Sequence, residues 1–238
     1  MKNKILKILS FTVLCGLPIF AANAESDFDT ENPIFLESSG DFLSRSGLYL
    51  NDSVIRVSQM FSYGVNGRLA LNANIKYQQD FNGTDDGFSH IGVGGIYRIS
   101  GNSESEAISD ALFGVNFGGS DRVRTPDFAN TAYYAGMRFG RQWSSFTLAG
   151  TIKTTWIFDE VSGMAYIDLM PEAYVKISPS WMTGLGFDLR KSTNPVFDQE
   201  WINFKLVRKY GRTEYVAHVD YEFESSEYQF GANLNILF

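Results

Sequence analysis

Residues 227–238 read EYQFGANLNILF, and their alternation decides the fold class. Tyr228, Phe230, Ala232, Leu234, Ile236 and Phe238 share one face of an extended strand. Glu227, Gln229, Gly231, Asn233 and Asn235 share the other, and only Leu237 breaks the pattern. Side chains on a strand point alternately to opposite faces, so this ribbon is greasy on one side and wet on the other. A soluble sheet buries such a greasy face in a core. A barrel in a bilayer turns it to lipid and keeps its polar groups inside.

The same alternation recurs upstream. It predicts strands over 46–50, 53–65, 68–81, 88–100, 107–118, 131–143, 146–158, 165–178, 181–193, 200–210, 213–224 and 227–238. Most have the length a tilted strand needs to cross a membrane. Asn66-Gly67 predicts a two-residue hairpin turn with positive φ at both positions. Ser144-Ser145, Pro179-Ser180 and Gly211-Arg212 are similarly short. Longer polar links at 82–87, 119–130, 159–164 and 194–199 alternate with them, as extracellular loops alternate with periplasmic turns. Residues 101–106 read as a longer periplasmic turn and Ser225-Ser226 as a short outer one. Aromatics cluster at both ends. Tyr63, Trp143, Phe146, Trp181, Tyr210 and Phe238 flank the short turns; Phe81, Phe88, Phe117, Tyr133, Trp156, Phe158 and Phe223 flank the loops. Rings that are apolar on one side and hydrogen-bonded on the other favour the headgroup zone. The fold expected is all-β, an antiparallel up-and-down transmembrane β-barrel of twelve strands.

The N-terminus supplies a compartment. Lys2, Lys4 and Lys7 precede an apolar run over 8–20, and Ala22-Asn23-Ala24 gives a small-x-small cleavage pattern. Residues 1–24 are therefore expected to be a signal peptide removed after Ala24. The sole cysteine, Cys15, falls inside it, so no disulfide or thiolate metal site is expected in the mature chain. Formal charge is −7, and loss of the three leader lysines brings it to −10. That argues against nucleic acid as a partner. Twenty-two glycines against 6 prolines, with 15% aromatic residues, suit a turn-rich all-β chain. After the leader no run reaches the roughly 18 uninterrupted apolar residues of a spanning helix. A membrane-spanning mature chain must then be a closed barrel. Residues 25–45 form an acidic, aperiodic segment expected on the periplasmic side, carrying Glu25, Asp27, Asp29, Glu31, Glu37 and Asp41. It reads either as a solvated tail or as a piece that folds into the barrel mouth. Residues 46–238 are the barrel.

The wet face gives the candidate channel lining: Lys76, Arg98, Arg138, Lys153, Asp168, Glu172, Arg190, Lys205, His218, Asp220 and Glu222. Both signs occur. Base dominates the tenth strand and acid the eleventh, which suggests cross-strand ion pairs between them. The inward glycines Gly92, Gly94, Gly114, Gly136, Gly140, Gly184, Gly186 and Gly231 suggest an underfilled interior and hence a narrow channel. Twelve strands fall between small filled barrels and wide porins, so size alone leaves a plugged lumen open as an alternative. The many acids argue against tuning for acidic oligosaccharides.

Lipid hydrolysis is the enzymatic alternative, since some membrane barrels of this size are lipid hydrolases. His218 and Asp220 share a face, as an oriented imidazole requires. No serine is obviously placed beside them, and both histidines point to the lumen, away from lipid. His218, Asp220 and Glu222 lie about 7 Å apart along one strand, too far to clasp one ion unaided. Neither metal nor cofactor is expected.

Two resemblances add to this. A last strand closing on Phe238 resembles those of many outer-membrane barrels, which implies recognition by the barrel-assembly machinery and contact with outer-membrane lipid and lipopolysaccharide. Residues 63–71 (YGVNGRLAL) and 87–98 (GFSHIGVGGIYR) resemble a hairpin of the transporter-like barrels named after the MetA pathway of phenol degradation. That resemblance implies an outer-membrane location in a Gram-negative-type bacterium and passage of a small solute, and it carries no catalytic residues.

Overall fold

The computed structural model of the chain describes residues 29–81, 86–101, 106–118, 130–158 and 163–238. The expected signal peptide lies outside the described residues, as do most of the links expected at 82–87, 101–106, 119–130 and 159–164. Twelve strands appear among the described residues: β1 Phe42–Leu50, β2 Val54–Asn66, β3 Leu69–Asp80, β4 Gly87–Ser100, β5 Ile108–Gly118, β6 Thr131–Trp143, β7 Phe146–Phe158, β8 Met164–Ser178, β9 Trp181–Ser192, β10 Gln199–Tyr210, β11 Thr213–Glu222 and β12 Tyr228–Leu237. Each pairs antiparallel with its chain neighbours, and β1 pairs with β12 to close the barrel. Closure removes every sheet edge, the condition for a sheet to survive in hydrocarbon.

Directly opposed residues share a face, so the register carries the greasy side of β12 around the barrel. Phe204, Val219 and Phe230 align across β10, β11 and β12; Val93, Val115 and Tyr133 align across β4, β5 and β6. All of these but Val115 are exposed, with Phe204 at 52% and Val93 at 44%. So much apolar surface turned outward belongs in lipid. At the turn end, Phe42 packs on Phe61 and Phe238, while Arg141 lies over Trp143 and Arg208 over Trp181. Cations beside interfacial rings suit the headgroup level. Val93→Arg should therefore cost about 2–4 kcal/mol of folding stability in lipid vesicles, as an arginine at mid-depth of the lipid face does. Unchanged vesicle unfolding would place Val93 outside hydrocarbon.

Three local expectations are corrected. β1 begins at Phe42, not at residue 46. Its outward positions there are Ser44 and Ser46, satisfied by Gln59 of β2 at 3.0 and 2.6 Å, and its inward position is Leu43. The polarity runs opposite to the rule, which hid the strand. Leu237 breaks the β12 pattern for the same reason: it faces Leu43 across the closing seam, and both are buried. At Asn66-Gly67 neither residue has positive φ. The Asn66 Oδ1 instead accepts from the backbone N–H of Arg68 at 2.8 Å and of Leu69 at 2.9 Å, after a bulge at Gly64/Asn66. The Asn side chain makes the turn that glycine was expected to make. The outer link near Ser225-Ser226 spans residues 223–227 with Ser226 at φ 59°.

Candidate functional site

All eleven candidate lining residues stand on the inner face by register. They do not form one constellation. Lys153 and Arg190 flank the fully buried Asp168 at 3.0 and 2.7 Å, a cross-strand triad over β7, β8 and β9 in the outer half. Arg190 also lies 3.9 Å from the Tyr166 ring centre. Arg98 and Arg138 flank Asp110 at 2.8 and 2.7 Å, a second triad over β4, β5 and β6 near the turn end. Opposed positions on neighbouring strands are close enough for such pairs.

Residues 29–41, ahead of β1, lie across the turn end of the lumen, and Asp29, Thr30, Glu31, Asn32, Ile34 and Glu37 are all buried there. Asp29 is held by Lys176 and by Lys209, the latter at 2.6 Å. Glu31 meets Arg45 at 3.3 Å, Lys205 at 3.7 Å and the Asn235 amide at 2.8 Å. Thr30 donates to Glu214 through its backbone N–H at 2.9 Å and through its hydroxyl. Asn32 donates to Gln142 at 3.0 Å and Thr147 at 3.3 Å. The segment's carbonyls are taken as well: Arg98 donates to Ile34 O at 2.7 Å and Arg138 to Phe35 O at 3.0 Å. Gly64 then brackets the exit, its N–H donating to Asp41 O and its carbonyl accepting from Gly40. Of the two readings of this segment, the folded one describes residues 29–41. Burial pushes the Glu31 carboxyl up, but Arg45, Lys205 and Asn235 outweigh it and hold it at about 2, well below the usual range.

This seating explains two further departures. The expected pairing of base on β10 with acid on β11 does not form among the described residues. Lys205 and Lys209 turn instead to Glu31 and Asp29, while Glu214 takes Thr30 and Asn235. The two strands stay paired along their length, and the segment draws these side chains off the wall toward itself. Nor do the inward glycines leave gaps. A Cβ on Gly94 or Gly114 would fall 2.2–2.4 Å from the Tyr134 hydroxyl, and one on Gly184 would fall 2.7 Å from the Tyr174 ring. A ring covers these three and Gly231, while Asn side chains, Ile34 or wall backbone cover Gly92, Gly136, Gly140 and Gly186, so counting glycines overstated the free volume.

His218 donates through Nδ1–H to the Asp220 carboxylate at 3.0 Å, its ring 5.0 Å from that of Tyr49. Its Nε2 is pressed onto the backbone of Gly231, where a Cβ would lie only 1.9 Å away. That nitrogen faces β12. His90 Nε2 meets Asn74 Oδ1 at 2.8 Å. Glu222 is buried at the outer rim and holds the 223–227 link through the Ser225 N–H. Among the described residues no group of three His, Cys, Asp or Glu stands close enough to hold a metal ion.

Sequence reading missed Arg45, Asp110 and Asn235, which anchor this end. Asp110 has the same parity as Asn116 on β5, so the signal was present. Arg45 was lost with the start of β1.

A closed twelve-strand barrel with an apolar exterior and an ionic interior defines the fold of outer-membrane β-barrels. Among solved structures, the KdgM porin matches with a TM-score of 0.65 at 13% identity, over 82% of this chain and 98% of that one. The NanC porin matches at 0.62 and 9% identity, over 82% and 98%. An outer-membrane channel from Pseudomonas putida F1 matches at 0.62 and 8%, over 89% and 100%. Identities this low speak to the fold. No family model matches the sequence, and no curated protein matches it.

Proposed function

We propose that this chain is a channel of the bacterial outer membrane, passing small polar solutes by diffusion through a mixed-charge lumen that residues 29–41 narrow at the periplasmic end. One observation carries the proposal: charged inner side chains keep surface open to the barrel interior. Arg45 keeps 30%, Lys153 29%, Glu172 24% and Lys205 23%. A charge sealed from water costs several kcal/mol. Partly uncovered cations inside a closed wall are therefore hydrated there, and a hydrated interior is what diffusion needs. The hairpin resemblance to transporter-like barrels supports the same role, and the fold is one that porins use.

A second reading, a filled barrel serving envelope integrity, is favoured by the two buried triads and by the rings packed over glycines. Planar bilayers separate the two. Refolded protein should give small discrete conductance steps; their absence from well-folded protein would remove the channel.

A further inference from the structure

Six bases of the barrel strands turn toward residues 29–41, Arg45, Arg98, Arg138, Lys176, Lys205 and Lys209, and Arg212 of the β10–β11 turn lies 3.9 Å from Asp41. The same half of the wall sets Asp110, Glu172 and Glu214 against them. The shortfall of negative charge is met by Asp29, Glu31 and Glu37 of the segment, all buried. Without the segment, this end of the lumen is an enclosed ring with more base than acid.

The bases are also less covered than the segment carboxylates they hold. Lys176 keeps 35% of its side-chain surface against 6% for Asp29, and Arg45 keeps ten times the fraction of Glu31. Among the described residues Arg45 Nε has no hydrogen-bond acceptor. Arg98 and Arg138 each give one Nη2 N–H to Asp110 and the other to a neutral carbonyl, Ile34 O or Phe35 O, where an anion would bind more strongly. The ring thus has donor capacity beyond what the segment uses, at Arg45 and at the part-exposed Lys176 and Lys205.

We propose that this ring is an oxyanion-binding passage, and that Asp29 and Glu31 occupy it as a tethered stand-in for the carboxylates or phosphates of an anionic solute. Resting on the channel reading, this names the solute class as small, multiply charged oxyanions and makes the segment their competitor. A competitor on a short tether acts at an effective concentration on the order of mM. A free anion must match that to enter.

The test compares the unaltered mature chain with Asp29→Asn/Glu31→Gln, both in detergent at low salt, titrated with citrate and separately with inorganic phosphate by calorimetry. The variant should bind at least one of the two anions about tenfold more tightly or better, the advantage expected from disarming a tethered competitor. Adding Lys176→Gln and Lys205→Gln should abolish that gain. Equal affinities in parent and variant for both anions would overturn the proposal, as would a gain that survives loss of the two lysines. Should the double variant not fold, Asp29→Asn alone makes the same comparison with a smaller gain. Anion binding without conductance steps would sink the channel reading and keep the ring. Steps without anion binding would do the reverse.

Discussion

Asp110→Ala should destabilise the barrel by about 3–5 kcal/mol, the cost of removing one partner from a buried ion pair. Asp110 is fully covered, and the two guanidiniums that grip it keep only 7% and 11% of their side-chain surface. Without the carboxylate, two cations face each other across β5 with a backbone carbonyl apiece. Loss of the pairing has two consequences beyond stability. The like charges push β4 and β6 apart at the turn end, and the arginines lose the anchor that aims them at Ile34 O and Phe35 O. Unfolding by urea from lipid vesicles measures the first. Protease cleavage within residues 29–41 of the folded protein measures the second, and it should accelerate. Asp110→Ala with unchanged stability would show that water screens the triad, and that the segment is held by its other contacts. Asp29→Ala is the useful contrast: Lys176 and Lys209 are nearer the rim, and Lys176 is about a third exposed, so its loss should cost far less.

The fold was legible because the lipid face obeys period two almost everywhere. From β2 to β12 the strand ends fall within two residues of the alternation, and β6 and β7 coincide with it. Hydrocarbon enforces that rule uniformly, since each polar outward residue needs a partner. Ser44, Ser46 and Gln59 supply such partners to one another, and there the rule failed. The lumen was legible only as a face. Parity gave all eleven candidate residues their side of the sheet, but pairing depends on which side chains meet across the interior. Residues 29–41 carry no period at all, because they lie neither in a strand nor in a helix. Their acids marked them as polar without saying that Lys176, Lys205, Lys209 and Arg45 would receive them. The glycines misled for a related reason: sequence shows the side chain that is missing, not the Tyr134 or Tyr174 ring that lies over the place.

The largest expected effect on conductance comes from one position, Gly64. A Cβ there would lie 1.9 Å from Ser38 O and 2.7 Å from Ser38 C, with Glu37 O next at 2.9 Å. All three atoms are backbone of the N-terminal segment, and none belongs to the wall. Gly64 has no positive φ, so a side chain brings no backbone strain of its own. Gly64→Val should therefore act as a wedge that lifts residues 37–38 off β2 and leaves the barrel standing. Overpacking of this kind costs about 1–3 kcal/mol, less than a buried triad and within what a closed twelve-strand sheet tolerates. Conductance in planar bilayers should rise severalfold as the turn-end mouth clears. Gly150→Val provides the control: that glycine opposes Phe139 and Pro171 on the lipid face, and nothing lies within 4 Å of its Cβ. It should leave the steps unchanged. Were Gly64→Val to fold and conduct like the parent, the segment would not be what narrows the lumen. The constriction would then fall to the Lys153–Asp168–Arg190 triad of the outer half, whose ionic side chains already meet across three strands.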